Sequence, residues 1–262
     1  MNEAMDHSLE IREVFHLEFL RWFGRKLEAD RYCLKGGVNL RFFFRSIRYS
    51  EDMDIDIQGI RVERVKTIVM DILSTRGFSD GLKSFGIEKI VAPDITKAKQ
   101  TETTQRFKIH LLTSAGEDLF TKIEFSRRGM KGVALVEPVS TEILRSYKMA
   151  PLLVPHYDAV SAIEQKIQAL AGRSVLQARD IFDLFVLNSQ YDAPRSKRPH
   201  MSKPVWERAH DNIFLVEFPQ FRDTVAAYLG SEDQATYSSP VVWDEIKLKT
   251  AHFLEEIKNE NT

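Results

Sequence analysis

The chain has 262 residues, 43% of them hydrophobic, with 37 basic residues against 38 acidic and a formal net charge of -1. That length supports a sizeable core in one large domain or two small ones, and the charge balance confines any nucleic-acid surface to a local patch. One cysteine, Cys33, excludes a disulfide framework within the chain, and its apolar setting RYCLK reads as buried strand rather than nucleophile.

The N-terminal MNEAMDHSLEIREVF has no apolar h-region, and no apolar stretch approaches membrane-spanning length. The expectation is a soluble, cytoplasmic protein with no membrane partner. From about Ser8 to Glu28, apolar residues Leu9, Val14, Phe15, Leu17, Phe19, Leu20 and Phe23 recur at helical spacing, with Ser8 placed to cap. Tyr32-Cys33-Leu34 reads as a short buried strand, broken by Gly36-Gly37, and a helix follows through Leu40 and Phe43. Asp52 to Ile57 (DMDIDI) alternates as a strand. Arg61 to Thr75 reads as a helix ended by Gly77, and Phe78 to Val91 as extended chain with turns. Arg106 to Leu112 and Leu119 to Ser126 alternate again, and TSAGED between them has hairpin chemistry.

After Pro151 the character changes. Residues from about Asp158 onward read as mostly helical, with a Pro- and Lys/Arg-rich loop from Ala193 to Pro204 and a last helix opened by Pro240, with Ile246, Phe253, Leu254 and Ile257 on its apolar side. The expected architecture is α/β (α+β): a mixed sheet domain flanked by helices, residues 1–150, then a mostly helical C-terminal domain, residues 151–262.

In DMDIDI, Asp52, Asp54 and Asp56 share one face of a strand and the apolar residues share the other. Three like charges in close array need positive charge among them. Carboxylates at i and i+2 on a strand suit a pair of Mg²⁺ ions, which bridge protein carboxylates to phosphate oxygens and stabilise both oxygens of a phosphoryl transfer. Glu124, on the polar face of its own strand, is the candidate third ligand. Gly36-Gly37 at a strand-to-helix turn suits anion binding by backbone N–H groups. The histidines, among them His110, His156, His200 and His210, lack metal-ligand spacing. Arg195, Lys197, Arg198, His200 and Lys203 form a basic cluster, read either as a solvated linker or as an RNA-backbone contact.

This order of blocks resembles the DNA polymerase β-like nucleotidyltransferase superfamily, and more closely the AbiEii-type nucleotidyltransferase toxins. The family stretch K/G-G-G-T/S, a helix, then R-x-S-x-D-x-D is matched by Lys35-Gly36-Gly37-Val38 and by Arg48-Tyr49-Ser50-Glu51-Asp52-Met53-Asp54. A strand resembling K-I-E-x-S is found as Lys122-Ile123-Glu124-Phe125-Ser126. A helix Lys followed by R-D-x-x-D-L is found as Lys166, then Arg179-Asp180-Ile181-Phe182-Asp183-Leu184.

The resemblance implies a nucleotidyltransferase-type sheet domain with Asp52 and Asp54 as the metal pair, Asp56 as an extra, and Glu124 as the next carboxylate. It implies that Gly36, Gly37, Ser50 and Lys166 hold the phosphates of an NTP, with Asp180 at the reaction centre orienting or deprotonating the acceptor hydroxyl. The implied acceptor is tRNA, at its 3′ end, and the implied role is the toxin of a toxin–antitoxin pair beside a winged-helix antitoxin. Val38 departs from the family's hydroxyl residue, which removes one side-chain contact to phosphate. The rival expectations are transfer to a protein or small molecule, and a nucleotide-binding module without catalysis.

Overall fold

The computed structural model describes residues 2–96, 100–191 and 199–260. The chain divides into two compact units, one built from residues up to 42 and 49–157, the other from 43–48 and 158 onward.

The first unit is organised by a seven-stranded mixed sheet in the order β3-β4-β5-β2-β1-β7-β6. Helix α1 (Asn2–Phe23) precedes β1 (Tyr32–Lys35), and α2 (Gly36–Phe43) precedes β2 (Asp52–Ile57). Helices α3 (Val62–Ser74) and α4 (Arg76–Lys83) lead to β3 (Ile87–Val91), β4 (Thr104–Thr113) and β5 (Asp118–Ser126). The unit ends with β6 (Ala134–Pro138), the short helix α5 (Thr141–Ser146) and β7 (Leu153–Tyr157). β2 pairs antiparallel with β1 and parallel with β5, so it lies near the middle of the sheet.

The apolar stripe of α1 is buried as its spacing demands: Phe15, Leu17, Phe19 and Phe23 have no solvent exposure. Phe23 meets Phe125 of β5 at 5.3 Å between ring centres, and Phe15 meets Phe78 of α4 edge-on at 6.0 Å. Met53, Ile55 and Ile57 are buried on one face of β2. Burial of such side chains stabilises by about 1.5–3 kcal/mol each, and it holds the register that presents the acidic face of β2 on the opposite side.

Four details depart from the sequence reading. Ser8 is an interior residue of α1, which begins at Asn2. Gly77 lies inside α4, because the break falls at Thr75, whose backbone is extended at φ -75 and ψ 122. Residues 78–83, expected to be extended, belong to helix α4, and Phe78 and Leu82 at i, i+4 supply its buried face. β6 and β7 were not read as strands. Every residue of edge strand β6 is exposed, so it shows no alternation, and Pro155 within β7 argues against a strand by the usual rule.

The second unit is helical from α6 (Ala159–Gly172) onward. It continues with α7 (Ala178–Asn188), α8 (Lys203–Phe214), α9 (Phe218–Thr224), α10 (Ser231–Tyr237) and α11 (Pro240–Glu260). Asp158 caps α6 by accepting from the Ser161 amide at 2.9 Å. Phe221 stacks on Trp243 at 4.4 Å, and the Trp243 indole N–H donates to the Val216 carbonyl at 3.0 Å. Ile246, Phe253, Leu254 and Ile257 of α11 are buried, as the sequence pattern requires. Among the described residues no helix is long and apolar enough to cross a membrane.

Candidate active site

The acidic face of β2 is the starting point. Register places Lys35, Asp54, Glu124 and Arg106 in one row across β1, β2, β5 and β4. Residues in register share a face of a sheet, so these four side chains stand side by side. The neighbouring row holds Asp52 beside Lys122. The sequence reading looked to metal for the positive charge among the aspartates, but much of it comes from this chain. Asp52 Oδ2 lies 2.8 Å from Lys122 Nζ, Glu124 Oε2 lies 2.5 Å from Arg106 Nε, and Asp56 Oδ1 lies 2.5 Å from Lys35 Nζ.

Asp56 is therefore not a spare carboxylate. Its side chain is 8% exposed, and its second oxygen accepts from the Tyr157 hydroxyl at 2.8 Å. Asp54 is the exception in the opposite sense. Among the described residues its carboxylate makes no hydrogen bond and no ion pair. Burial raises its pKa above the ordinary aspartate range; Lys35 and Lys122 oppose the rise, and Glu124 and Asp52 add to it.

The turn before α2 is shaped around that carboxylate. Gly36 has φ 69, the left-handed region, and a Cβ built on it would stand 3.0 Å from Asp54 Oδ2. A side chain at this position costs roughly 1–2 kcal/mol in backbone strain and displaces Asp54. Gly36→Ala is expected to lower the melting temperature by a few degrees and to weaken nucleotide binding, read by thermal melts and by titration with an NTP. An unchanged melt and affinity would show that the turn tolerates the methyl group.

The donor set suits a hard divalent cation. It is all oxygen, one member lacks a partner, and that member is held in an environment that disfavours its own charge. Among the described residues no three His, Cys, Asp or Glu side chains already converge on one point. The reason is the ion pairing above: Asp52 turns to Lys122 and Glu124 turns to Arg106. A cation here would draw these two carboxylates away from their present partners.

Ser50 donates its hydroxyl to the Asp52 carbonyl at 2.8 Å and so fixes the entry to β2. Val38 is 2% exposed, so the residue standing where the sequence comparison expects a hydroxyl is a packing residue here.

Lys166 and Asp180 belong to the second unit and are brought together there. Lys166 Nζ lies 2.9 Å from Asp180 Oδ1 and 2.5 Å from Asp183 Oδ2. Burial alone would push the ammonium down; Asp180 and Asp183 overcome it and hold it above the ordinary lysine range. Arg48 Nη2 approaches Asp183 Oδ1 at 3.0 Å. Burial would raise the Asp183 carboxyl, but Arg48 and Lys166 prevail and hold it below the usual range. Arg173 Nε stands 2.9 Å from Asp180 Oδ2 but off the hydrogen-bonding direction, so that oxygen has a charge partner and no donor.

Asp180 was expected at an acceptor hydroxyl. Its side chain has no solvent exposure and is paired with Lys166 and Arg173. Sequence reasoning passed over Arg48 and Asp183 as functional groups. Their signal was the pairing of an arginine before the acidic strand with a second aspartate one turn along α7. Of the basic cluster, Arg195, Lys197 and Arg198 lie outside the described residues, while Lys203 pairs with Glu207 at 3.7 Å.

Comparison with known proteins follows the same lines. The sequence matches the family model for the nucleotidyl transferase AbiEii toxin of type IV toxin–antitoxin systems over residues 18–255. No curated protein matches the chain. The fold is similar to that of MenT4, a nucleotidyltransferase toxin from Mycobacterium tuberculosis H37Rv, with a TM-score of 0.61 at 15% identity, covering 98% of this chain and 89% of that one. It is also similar to JHP933 from Helicobacter pylori, with a TM-score of 0.53 at 19% identity over 95% and 93% of the two chains.

Proposed function

The chain belongs to the AbiEii family of nucleotidyltransferase toxins, and from that premise we propose that it transfers NMP from an NTP to the 3′ end of tRNA in a Mg²⁺-dependent reaction. Membership makes it a nucleotidyltransferase of a type IV toxin–antitoxin system and implies an NTP substrate and an antitoxin counterpart. In this reading the counterpart is a small winged-helix protein and the reaction takes place in the cytoplasm.

The observation that carries the site assignment is Asp54, a half-buried carboxylate without a partner, set beside Glu124 and two residues from Asp52. Asp52 and Asp54, with Glu124, would hold Mg²⁺, which when bound supplies charge stabilisation at the attacking and leaving oxygens. Gly36 and Gly37 open α2, whose first backbone N–H groups would receive phosphate oxygens. Ser50, at the entry to β2, would add its hydroxyl to the phosphate contacts. Lys166 contacts the triphosphate as a compact point charge, and Asp180 orients it. Positioning and fixed charge are most of what such a transfer needs.

The test is a labelling assay with Mg²⁺, total tRNA and each α-labelled NTP in turn. Label on tRNA that depends on Asp54 is the expected result. Label on protein or on a small molecule would move the acceptor, and NTP binding without any pyrophosphate release would replace the transferase by a binding module.

A further inference from the structure

Lys35 has no role in the reading above, although it stands in the same row as Asp54. Its ammonium is fixed from behind. Asp56 Oδ1 receives it at 2.5 Å, and Asp56 is itself held by the Tyr157 hydroxyl, which donates to Oδ2 at 2.8 Å. Tyr157 and Asp56 are buried, whereas the Lys35 side chain keeps 26% of its surface. The chain Tyr157–Asp56–Lys35 thus runs from the core to the open ground beside Asp54 and the Gly36 turn. Lys35 is also covalently joined to Gly36, so its position and that of the turn are set together.

A lysine that only neutralised Asp56 would not need to reach the surface. A buried carboxylate pinned by a tyrosine and aimed at a half-open ammonium is the arrangement that presents a cation in one place. An ammonium has three donor hydrogens, and Asp56 takes one of them. Asp54, the neighbour across the ladder, takes none.

We propose that Lys35 is a phosphate-contacting residue of the nucleotide site, positioned by Asp56 and Tyr157, and that it recognises the oxygens of the polyphosphate chain. This rests on the nucleotidyltransferase reading, and it makes Asp56 a positioning residue rather than a metal ligand.

The test is equilibrium binding, not turnover. The wild-type chain is titrated in Mg²⁺ buffer with each NTP, with the matching NDP and NMP, and with inorganic tripolyphosphate. Lys35→Met is expected to weaken NTP and tripolyphosphate about tenfold or more, the loss of one charge-assisted contact, and to erase the preference for NTP over NMP. Lys35→Arg keeps the charge and is expected to retain that preference. The double variant Lys35→Met with Asp56→Asn leaves no lone carboxylate behind, so it folds even if the single change does not, and it should bind like Lys35→Met. Tyr157→Phe should weaken NTP by a smaller factor and leave NMP unchanged.

Unaltered NTP-over-NMP preference in the neutral variants would overturn the proposal, as would an Lys35→Arg protein no better than Lys35→Met, or a wild-type chain that binds neither NTP nor tripolyphosphate. Failure of the transferase reading looks different: binding would follow this pattern while no acceptor became labelled.

Discussion

Asp54→Ala is expected to reduce nucleotidyl transfer by about a thousandfold or more, the scale set by removing a group that stabilises transition-state charge, while leaving the fold intact. Both halves of that expectation come from the same geometry. Asp54 makes no hydrogen bond and no ion pair among the described residues, so its removal orphans no donor. Burial, with Glu124 and Asp52 adding, already raises its carboxyl above the ordinary range. A group raised in the folded state contributes stability that is complete below its unfolded value and lost as pH rises through the folded one. The isosteric Asp54→Asn should therefore melt higher than the wild type near neutral pH and converge with it in acid. Thermal melts across that range, beside the labelling assay, check the two halves separately. A variant that melts lower at neutral pH would mean that Asp54 holds the structure, and lost activity would then say nothing about chemistry. Asp56→Ala is the contrast. It strips Lys35 and Tyr157 of their shared acceptor, so its main effect is on stability and on the placing of Lys35.

How much of this was legible in the sequence varies with the kind of information each element carries. The α1 stripe, the buried side of β2 and the β4–β5 hairpin are written in local periodicity, and the structure follows it. The mixed α/β fold class and the AbiEii family were also legible, because several short blocks occur in a fixed order. β6 and β7 were not, since an exposed edge strand has no buried face to alternate and a proline masks the other. Within the site, the residue types could be named but not their pairings. Nothing local says that Lys35 belongs to Asp56, since the two are 21 positions apart and meet only across a β1–β2 register. Arg106 with Glu124 and Lys122 with Asp52 are cross-strand facts of the same kind. The burial of Asp180 is likewise a property of helix packing, and a sequence block that marks it as polar points toward solvent instead.

Asp183→Ala should destabilise the helical unit by about 3–5 kcal/mol, because it takes the buried counter-charge from Arg48 and half of it from Lys166. Asp183 has no solvent exposure and receives Lys166 on one oxygen and Arg48 on the other. Its carboxyl is held below the ordinary range, so its contribution is complete above the unfolded carboxyl value and lost as pH falls through the folded one. The gap between the wild type and Asp183→Asn should therefore be full near neutral pH and narrow in acid. Trp206 and Trp243 lie buried in this unit and Trp22 lies in the other, so tryptophan fluorescence in urea, repeated with single-tryptophan variants, reads the helical unit by itself. A loss below about 1 kcal/mol, the usual range for a surface pair, would mean that the network is dispensable. The partner experiment removes both ends. Arg48→Met with Asp183→Leu should regain part of the stability, because apolar replacement of a buried ion pair is often neutral or favourable. If Lys166 contacts the triphosphate as proposed, it should nonetheless lose NTP affinity, since Lys166 then keeps only Asp180 to fix its position. Stability restored with affinity lost would separate what the network does for the fold from what it does for the lysine.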